Sequence, residues 1–268
     1  MISSQETEEA PPLGLIDHEQ AGSEDLEQVR ITDHEQVGAS GHEDAGSQGY
    51  EHIRSAGRGD VGWVSGYAEA LWRADPAVDR ITLQSHTGAQ IVLDLARFTA
   101  PPGPADIEVL SRCAGPTLDI GCGPGRMAAA LAQRGIPALG VDVSEVALLL
   151  ARAAGATVLR RSVFDRLPGE GRWHHALLID GNIGIGGDPA ALLRRVKQLL
   201  HPMHGELLVE TETTDIHEFH RVRDGDAGPE FGWARIGAPA LTELATSMGY
   251  RVRGTWYVGG RCFTALAV

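Results

Sequence analysis

The hydrophobic residues between residues 115 and 210 fall into short apolar runs, separated by stretches that repeat apolar residues at helical spacing. Short apolar runs are typical of strands buried on both faces, and the longer periodic stretches are typical of amphipathic helices. The predicted strands are 117–120, 138–143, 157–161, 175–179 and 206–210, and the predicted helices are 126–134, 145–154 and 189–200. Ser144 and Asp188 directly precede two of these helices, where their side chains can cap free N–H groups. Regular alternation of this kind predicts an α/β fold with a parallel sheet covered by helices on both faces.

The pattern changes at both ends of this alternating region. After a predicted long loop over 211–238, the chain shows a helical stretch at 240–248 and two apolar runs at 250–258 and 261–267. The Gly-Gly link between those two runs predicts a hairpin.

On the N-terminal side, a helix is predicted at 62–80, with Trp63, Tyr67, Ala70 and Leu71 on one face. A short hairpin is predicted at 81–95, and a helix at 105–113 behind the proline-rich break at 101–104. These elements, residues 61–114, are expected to cover the active site of a core formed by residues 115–268.

Residues 1–60 differ in composition from the rest of the chain. They hold 14 acids and three arginines, so most of the formal net charge of −13 lies there. Short Asp/His/Glu repeats begin at Asp17, Asp33 and His42. So few apolar residues cannot offset the ordering entropy, which predicts a disordered acidic tail. A metal-binding or partner-binding role for the repeats is the alternative.

The remaining sequence narrows the classes of partner. Its nearly balanced charge lacks the basic footprint of a nucleic-acid-binding domain. Three isolated cysteines without zinc-ligand spacing suit a reducing compartment and predict no metal site. No leader-like or membrane-spanning apolar run is present. We therefore expect a cytoplasmic protein without a nucleic-acid or membrane partner.

The strongest chemical signal is the segment Leu118–Gly125, LDIGCGPG, where a predicted strand enters a glycine-rich turn before a helix. Glycines allow a sharp turn and a close approach to a ligand. Such a turn is also expected to offer free N–H groups at a helix N-terminus. Asp142, at the end of the next predicted strand, lies 21 residues after Gly121, a spacing at which an acid can bind ribose hydroxyls. The sequence thus predicts a nucleoside-cofactor site.

The G-x-G-x-G spacing resembles the first motif of class I S-adenosylmethionine-dependent methyltransferases, rather than the G-x-G-x-x-G of dinucleotide folds. The resemblance covers about residues 115–268. It implies a Rossmann-like, doubly wound, mostly parallel seven-stranded sheet with an antiparallel C-terminal strand, and S-adenosyl-L-methionine as the cofactor. It also implies that Asp119 reaches the ammonium end of the cofactor and that Asp142 binds its ribose.

Other positions follow from the same resemblance. Ser162 stands where the family has an acid that binds adenine, so adenine recognition is expected to be shared with the backbone of Val163. Asp180 and Gly181 are expected to face the amino group of the cofactor. The full set of expected cofactor residues is Asp119, Gly121, Cys122, Gly123, Gly125, Asp142, Val143, Ser162, Val163, Asp180 and Gly181.

The acceptor side is less defined by the sequence. Asn182 could face the acceptor, and His217 or His220 could take its proton at neutral pH. Surface histidines on a loop are the alternative for the latter two. Trp63, Tyr67, Trp72 and Trp233 could wall an apolar acceptor pocket or pack the N-terminal helices onto the sheet.

The expected function is therefore methyl transfer from S-adenosylmethionine to a small-molecule acceptor by in-line displacement. Two alternatives stay open: an NAD-dependent oxidoreductase, because Asp142 also suits the ribose of NAD, and a non-catalytic S-adenosylmethionine-binding protein. The sequence identifies neither the acceptor nor the oligomeric state.

Overall fold

The computed structural model describes residues 66–73, 79–85, 88, 90–223 and 230–268. The predicted acidic tail at 1–60, Trp63 and the side chain of Trp72 lie outside the described residues. In chain order the strands are β1 (Arg80–Ser85), β2 (Gln90–Asp94), β3 (Thr117–Ile120), β4 (Ala138–Asp142), β5 (Val158–Arg160), β6 (His175–Leu178), β7 (Glu206–Thr211), β8 (His217–Arg223), β9 (Glu230–Ile236), β10 (Arg251–Val258) and β11 (Arg261–Ala267). The helices are α1 (Gly66–Arg73), α2 (Leu95–Thr99), α3 (Pro104–Ser111), α4 (Arg126–Gln133), α5 (Glu145–Ala153), α6 (Pro189–Leu199) and α7 (Ala238–Ser247).

Seven of the strands form one sheet in the order β10-β11-β7-β6-β3-β4-β5. The five strands from β7 to β5 pair in parallel, whereas β11 is antiparallel to both β7 and β10. The predicted fold class, a mostly parallel seven-stranded sheet with an antiparallel C-terminal strand, is confirmed. All four residues of β3 are buried, which is why its apolar run is continuous in the sequence.

Side-chain caps fix the start of two sheet-covering helices. The Ser144 hydroxyl accepts a hydrogen bond from the N–H of Ala147 at the start of α5. The Asp188 carboxylate accepts one from the N–H of Ala191 at the start of α6. Both caps agree with the sequence prediction.

The segment 211–238 was wrongly predicted as a long loop. It forms β8 and β9, which pair antiparallel and complete a second, four-stranded sheet in the order β2-β1-β8-β9. The predicted hairpin at 81–95 supplies the other two strands, although its last residue, Leu95, begins α2 instead. Strand β8 escaped prediction because its sequence, HEFHRVR, is mostly polar and only His220 and Val222 are buried.

The inner face of the four-stranded sheet packs on elements of the main sheet. Leu83, Leu93, Val222 and Trp233 form one apolar cluster with residues of α1 and α5. A backbone bridge joins Ile185, which follows β6, to Trp233 of β9. The second sheet therefore lies at the carboxyl ends of the parallel strands, where a doubly wound fold binds its ligands. Among the described helices, none combines the length and apolar character needed to cross a bilayer.

Candidate functional site

A cavity of about 380 Å3 opens between the carboxyl edge of the seven-stranded sheet and the inner face of the four-stranded sheet. One wall follows the ends of β3, β4, β5 and β6, and the other comes from α1, α2, β2 and β9. Of the expected cofactor residues, the cavity is lined by Asp119, Gly121, Cys122, Gly123, Asp142, Val143, Ser162, Val163 and Asp180. The structure thus brings together residues that are more than 60 positions apart in the chain.

The glycine-rich turn lies against this cavity in a conformation that requires glycine. Gly121, Gly123 and Gly125 have φ values of +69°, +52° and +83°, in the left-handed region that side-chain-bearing residues rarely adopt. A Cβ atom on Gly125 would lie 2.6 Å from the Cβ of Ala151 in α5. Gly125 does not line the cavity. Its lack of a side chain instead allows α4 to begin close to α5.

The expectation of free N–H groups in this turn is wrong for its glycines and Cys122. The N–H groups of Gly121 and Cys122 donate to the carbonyl of Val141, and that of Gly125 donates to the carbonyl of Cys122. The N–H of Gly123 donates to the Asp142 carboxylate. The turn closes on itself and on β4, so these four N–H groups are not open donors toward the cavity.

Asp142 connects β4 to the turn. Its Oδ2 accepts from the N–H of Gly123 at 2.9 Å, and its Oδ1 accepts from the N–H of Ser144 at 2.8 Å. Burial raises the pKa of Asp142, while these two hydrogen bonds limit the rise. Each oxygen retains a second lone pair for a ligand on the cavity side.

Asp119 lies deeper, beneath the first turns of α4. It is 3% exposed, and its Oδ2 accepts from the N–H of Ala128 at 3.2 Å. Burial raises the pKa of Asp119 to about 7, although the positive charge of Arg126 partly opposes that rise. A cationic ligand group in the cavity would favour its ionised form.

Ser162 and Val163 follow β5 on the opposite side of the turn. The Ser162 hydroxyl accepts from the N–H of Phe164 at 3.2 Å, and the carbonyl of Val163 accepts from the Arg195 guanidinium at 2.9 Å. Because that carbonyl already has a strong donor, Val163 would present its side chain and N–H rather than its oxygen. The half-exposed ring of Phe164 forms part of the rim.

Asp180 occupies a strained position at the end of β6. Its φ is +59°, the only positive value among the described non-glycine residues. Its Oδ2 accepts from Arg126 at 2.5 Å and its Oδ1 from Arg261 at 3.0 Å, and its N–H donates to Glu210 at 2.6 Å. Strain held in place by so many contacts is a mark of functional sites. Gly181, next in the chain, lines a neighbouring cavity rather than this one.

The partners of Asp180 form a network that the sequence reasoning missed. Arg261 also donates to Asp106 and Glu210, and Arg126 donates to Asp106. Burial alone would raise the pKa of Asp106, but the bonds and charges of these arginines lower it. Arg126 directly follows the glycine motif, which is the one sequence signal for it. Asp106 and Arg261 lie 155 residues apart, and their pairing has no local signal.

The amide nitrogen of Asn182 is not available to bind a methyl acceptor. That nitrogen donates to the carbonyls of Ile120 and Gly121 at 2.8 and 2.9 Å. The side chain lines the cavity, but its two N–H groups hold the end of β3 in place. The geometry therefore assigns Asn182 a role in positioning the glycine-rich turn.

The structure does not bring either predicted histidine to the cavity. His217 and His220 are three residues apart on β8, so they point to opposite faces of the strand. His217 is exposed; His220 is buried opposite Trp233, with its Nε2 3.0 Å from a Glu218 oxygen. Neither lines the cavity. Within the described ranges, no three His, Cys, Asp or Glu side chains lie so that they could hold a metal ion.

The wall that faces the glycine-rich turn is aromatic. Tyr67 and Trp233, both named from the sequence, line the cavity together with Phe98 and Phe231, which were not. Phe98 was missed because no helix was predicted after the hairpin that ends at Leu95, and Phe231 because β9 was predicted as a loop. An apolar wall opposite a polar one is typical of small-molecule sites.

Comparisons with known proteins agree with this geometry. Residues 117–203 match the family model described as a methyltransferase domain. Among curated proteins, no sequence matches this chain.

Two solved structures are similar in fold. A SAM-dependent methyltransferase from Bacteroides fragilis, in complex with S-adenosyl-L-homocysteine, is 21% identical over 76% of this chain and 92% of its own, with a TM-score of 0.62. The 1,6-didemethyltoxoflavin-N1-methyltransferase of Burkholderia thailandensis, with 1,6-didemethyltoxoflavin and S-adenosylhomocysteine bound, is 19% identical over 77% of this chain and 92% of its own, with a TM-score of 0.51. The family match identifies residues 117–203 as a methyltransferase domain, and the chain shares the fold of these two solved methyltransferases.

Proposed function

We propose that this protein transfers the methyl group of S-adenosylmethionine to a small-molecule acceptor bound between its two sheets. The observation that carries the proposal is the cavity itself, where the glycine-rich turn and Asp142 face the aromatic wall of Phe98, Phe231 and Trp233. The two structural relatives, both solved with S-adenosylhomocysteine, support the choice of cofactor. The Burkholderia enzyme, with 1,6-didemethyltoxoflavin bound, supports a small acceptor.

The residues present fit the cofactor. A Cβ on Gly121 would meet the Asn182 amide at 2.7 Å, and one on Gly123 would meet the Tyr67 hydroxyl at 3.2 Å, so the turn is a cradle that side chains would fill. Asp142 would bind the ribose hydroxyls, Ser162 and Val163 would lie by the adenine, and Asp119 and Asp180 would face the ammonium end. The bound cofactor would supply a methyl group activated by a sulfonium.

The chain contributes binding, orientation and exclusion of water. In the transfer, a lone pair of the acceptor forms a bond to the methyl carbon while the bond from sulfur to that carbon breaks. The electron pair of the broken bond remains on sulfur, and a proton leaves the acceptor where it carries one. Neither His217 nor His220 lines the cavity, so neither is proposed as the base. The cytoplasmic location and the absence of a nucleic-acid partner stay predictions from composition.

Calorimetry with S-adenosylhomocysteine tests the cofactor assignment. In Asp142→Asn, one charged acceptor is lost, so we expect affinity to fall at least about tenfold. The matched control is Asp215→Asn, at an exposed loop position, where we expect no change beyond about twofold. Equal affinity in wild type and Asp142→Asn would remove the role of Asp142. Tight binding of NADH instead of S-adenosylhomocysteine would favour the oxidoreductase alternative.

A further inference from the structure

A second, more polar cavity of about 190 Å3 adjoins the cofactor cavity. It lies between the end of β7 and the inner face of the four-stranded sheet. Leu93, Asp180 and Trp233 line both cavities, so the two are neighbours across a shared wall. We call this second space the interlayer cavity.

The acidic residues of the interlayer cavity already accept hydrogen bonds from arginines. Glu210 accepts from Arg261 with both oxygens, at 2.7 and 2.6 Å. Asp180 is held by Arg126 and Arg261, as described above. Glu212 accepts from Arg235 at 2.7 Å. Each of these carboxylates therefore already accepts a hydrogen bond from an arginine before any ligand binds.

Arg97 differs from the other arginines of this region. Its buried Nε forms an ion pair with Asp180, 3.3 Å from Oδ1, but donates no hydrogen bond. Its two terminal nitrogens have no polar partner among the residues that the structure describes, and 36% of the side chain is exposed. Arg97 is thus a cation with unused donors that lines the interlayer cavity.

Thr211 supplies a second unused polar group in the same cavity. The residue is 7% exposed, and its hydroxyl is buried without a hydrogen-bond partner in the described structure. A buried hydroxyl without a partner costs free energy, and a ligand that bonds to it would recover that cost. Arg97 and Thr211 therefore have unused hydrogen-bond donors, whereas the neighbouring carboxylates already accept hydrogen bonds from arginines.

We propose that the methyl acceptor is a small aromatic acid whose carboxylate occupies the interlayer cavity, paired with Arg97 and hydrogen-bonded to Thr211. The aromatic body would pack on the wall that Phe98 and Trp233 provide. A carboxylate is favoured because it accepts several hydrogen bonds and pairs with the planar guanidinium in a fork geometry. A cationic acceptor would meet Arg97 as a like charge and find no uncommitted carboxylate in the buried part of the cavity.

This inference rests on the proposed function, because it places the acceptor beside the cofactor cavity. It is tested with matched pairs of an acid and its neutral amide, which share the aromatic body and differ only in the carboxylate or amide group. Suitable pairs are indoleacetate and indoleacetamide, phenylacetate and phenylacetamide, and para-hydroxybenzoate and para-hydroxybenzamide. Affinities are measured by ligand-observed NMR titration on the full chain saturated with S-adenosylhomocysteine.

In wild type, we expect the acid of at least one pair to bind about tenfold more tightly than its amide. Arg97→Gln should reduce that preference to about twofold or less, and Arg97→Lys should restore part of it. Thr211→Val, which keeps the shape of the side chain, should weaken the acid about threefold or more. Arg253→Gln and Thr213→Val, at exposed positions outside both cavities, serve as matched controls and should leave the preference unchanged.

The proposal is overturned if no acid binds more tightly than its amide, or if the preference survives both Arg97→Gln and Thr211→Val. Thr211→Val keeps the test decisive if Arg97→Gln proves unfolded in thermal denaturation. Failure of the proposed function has a different signature, since the wild type would then not bind S-adenosylhomocysteine at all.

Discussion

The two walls of the cofactor cavity are built in different ways. On the side of the seven-stranded sheet, the wall is mostly backbone: the left-handed glycines Gly121 and Gly123 and the ends of parallel strands, held by Asp142 and Asn182. On the side of the four-stranded sheet, the wall is made of side chains, above all Phe231 and Trp233. The first wall can serve any protein that binds the same nucleoside. The second can change its side chains freely, which suits the recognition of one particular acceptor.

The largest effect is expected in the first of these regions, in the ion-pair network at the ends of β6 and β7. Arg261 of β11 bonds Asp106, Asp180 and Glu210, so Arg261→Met leaves three buried carboxylates with less positive charge. Breaking a buried ion pair by removing one partner costs about 3–5 kcal/mol, and we expect a loss of that size in the free energy of unfolding. Urea denaturation measures it.

Arg253→Met, at an exposed position of the adjacent strand, is the control and should change stability by no more than about 0.5 kcal/mol. A similar small effect for Arg261→Met would show that the network does not stabilise the fold.

The buried carboxyl group of Asp119, beneath the glycine-rich turn, makes the free energy of unfolding depend on pH. Burial raises the pKa of Asp119 to about 7, so the folded state binds a proton that the unfolded state has released. The free energy of unfolding should therefore fall as pH rises from about 4 to about 7, by an amount on the order of a few kcal/mol. Asp119→Asn should remove this contribution, so the variant gains on wild type between pH 5 and pH 8.

The measurement is the difference between the two stability curves over that range, with Asp215→Asn as the exposed control. A constant difference between wild type and Asp119→Asn would mean that Asp119 is already ionised at pH 5.

Two glycines allow the cost of a left-handed backbone conformation to be measured apart from the cost of steric crowding. Gly125 and Gly155 both have left-handed φ values, +83° and +88°. A Cβ at Gly155 meets nothing within 4 Å, whereas at Gly125 it meets the Cβ of Ala151 at 2.6 Å. We expect Gly155→Ala to cost about 1 kcal/mol and Gly125→Ala about 3 kcal/mol. Equal losses in thermal unfolding would contradict the close contact of α4 with α5.

The same contrast explains what the sequence could predict. The parallel strands and their helices were predicted within one or two residues, because a strand buried on both faces is a continuous apolar run. The glycine-rich turn and Asp142 were predicted to lie close together from their spacing along the chain, and both line the cavity. All of these features belong to the side of the cavity formed by the seven-stranded sheet.

The features that could not be predicted from the sequence depend on contacts between distant segments of the chain. Strand β8 has only two buried residues, so its pattern resembles a polar loop. The partnership of Arg261 with Asp106, and the unused donors of Arg97, arise only once the sheets have packed. His217 and His220 were chosen for their chemistry, but the alternation of side chains along β8 places them away from the cavity.

The most direct test of the account is a crystal structure of the full chain with S-adenosylhomocysteine. It should show the nucleoside against Gly121 and Gly123, with its ribose hydroxyls within hydrogen-bonding distance of the Asp142 carboxylate. A nucleoside bound at another place, or a cavity that stays empty at saturating ligand, would contradict the account.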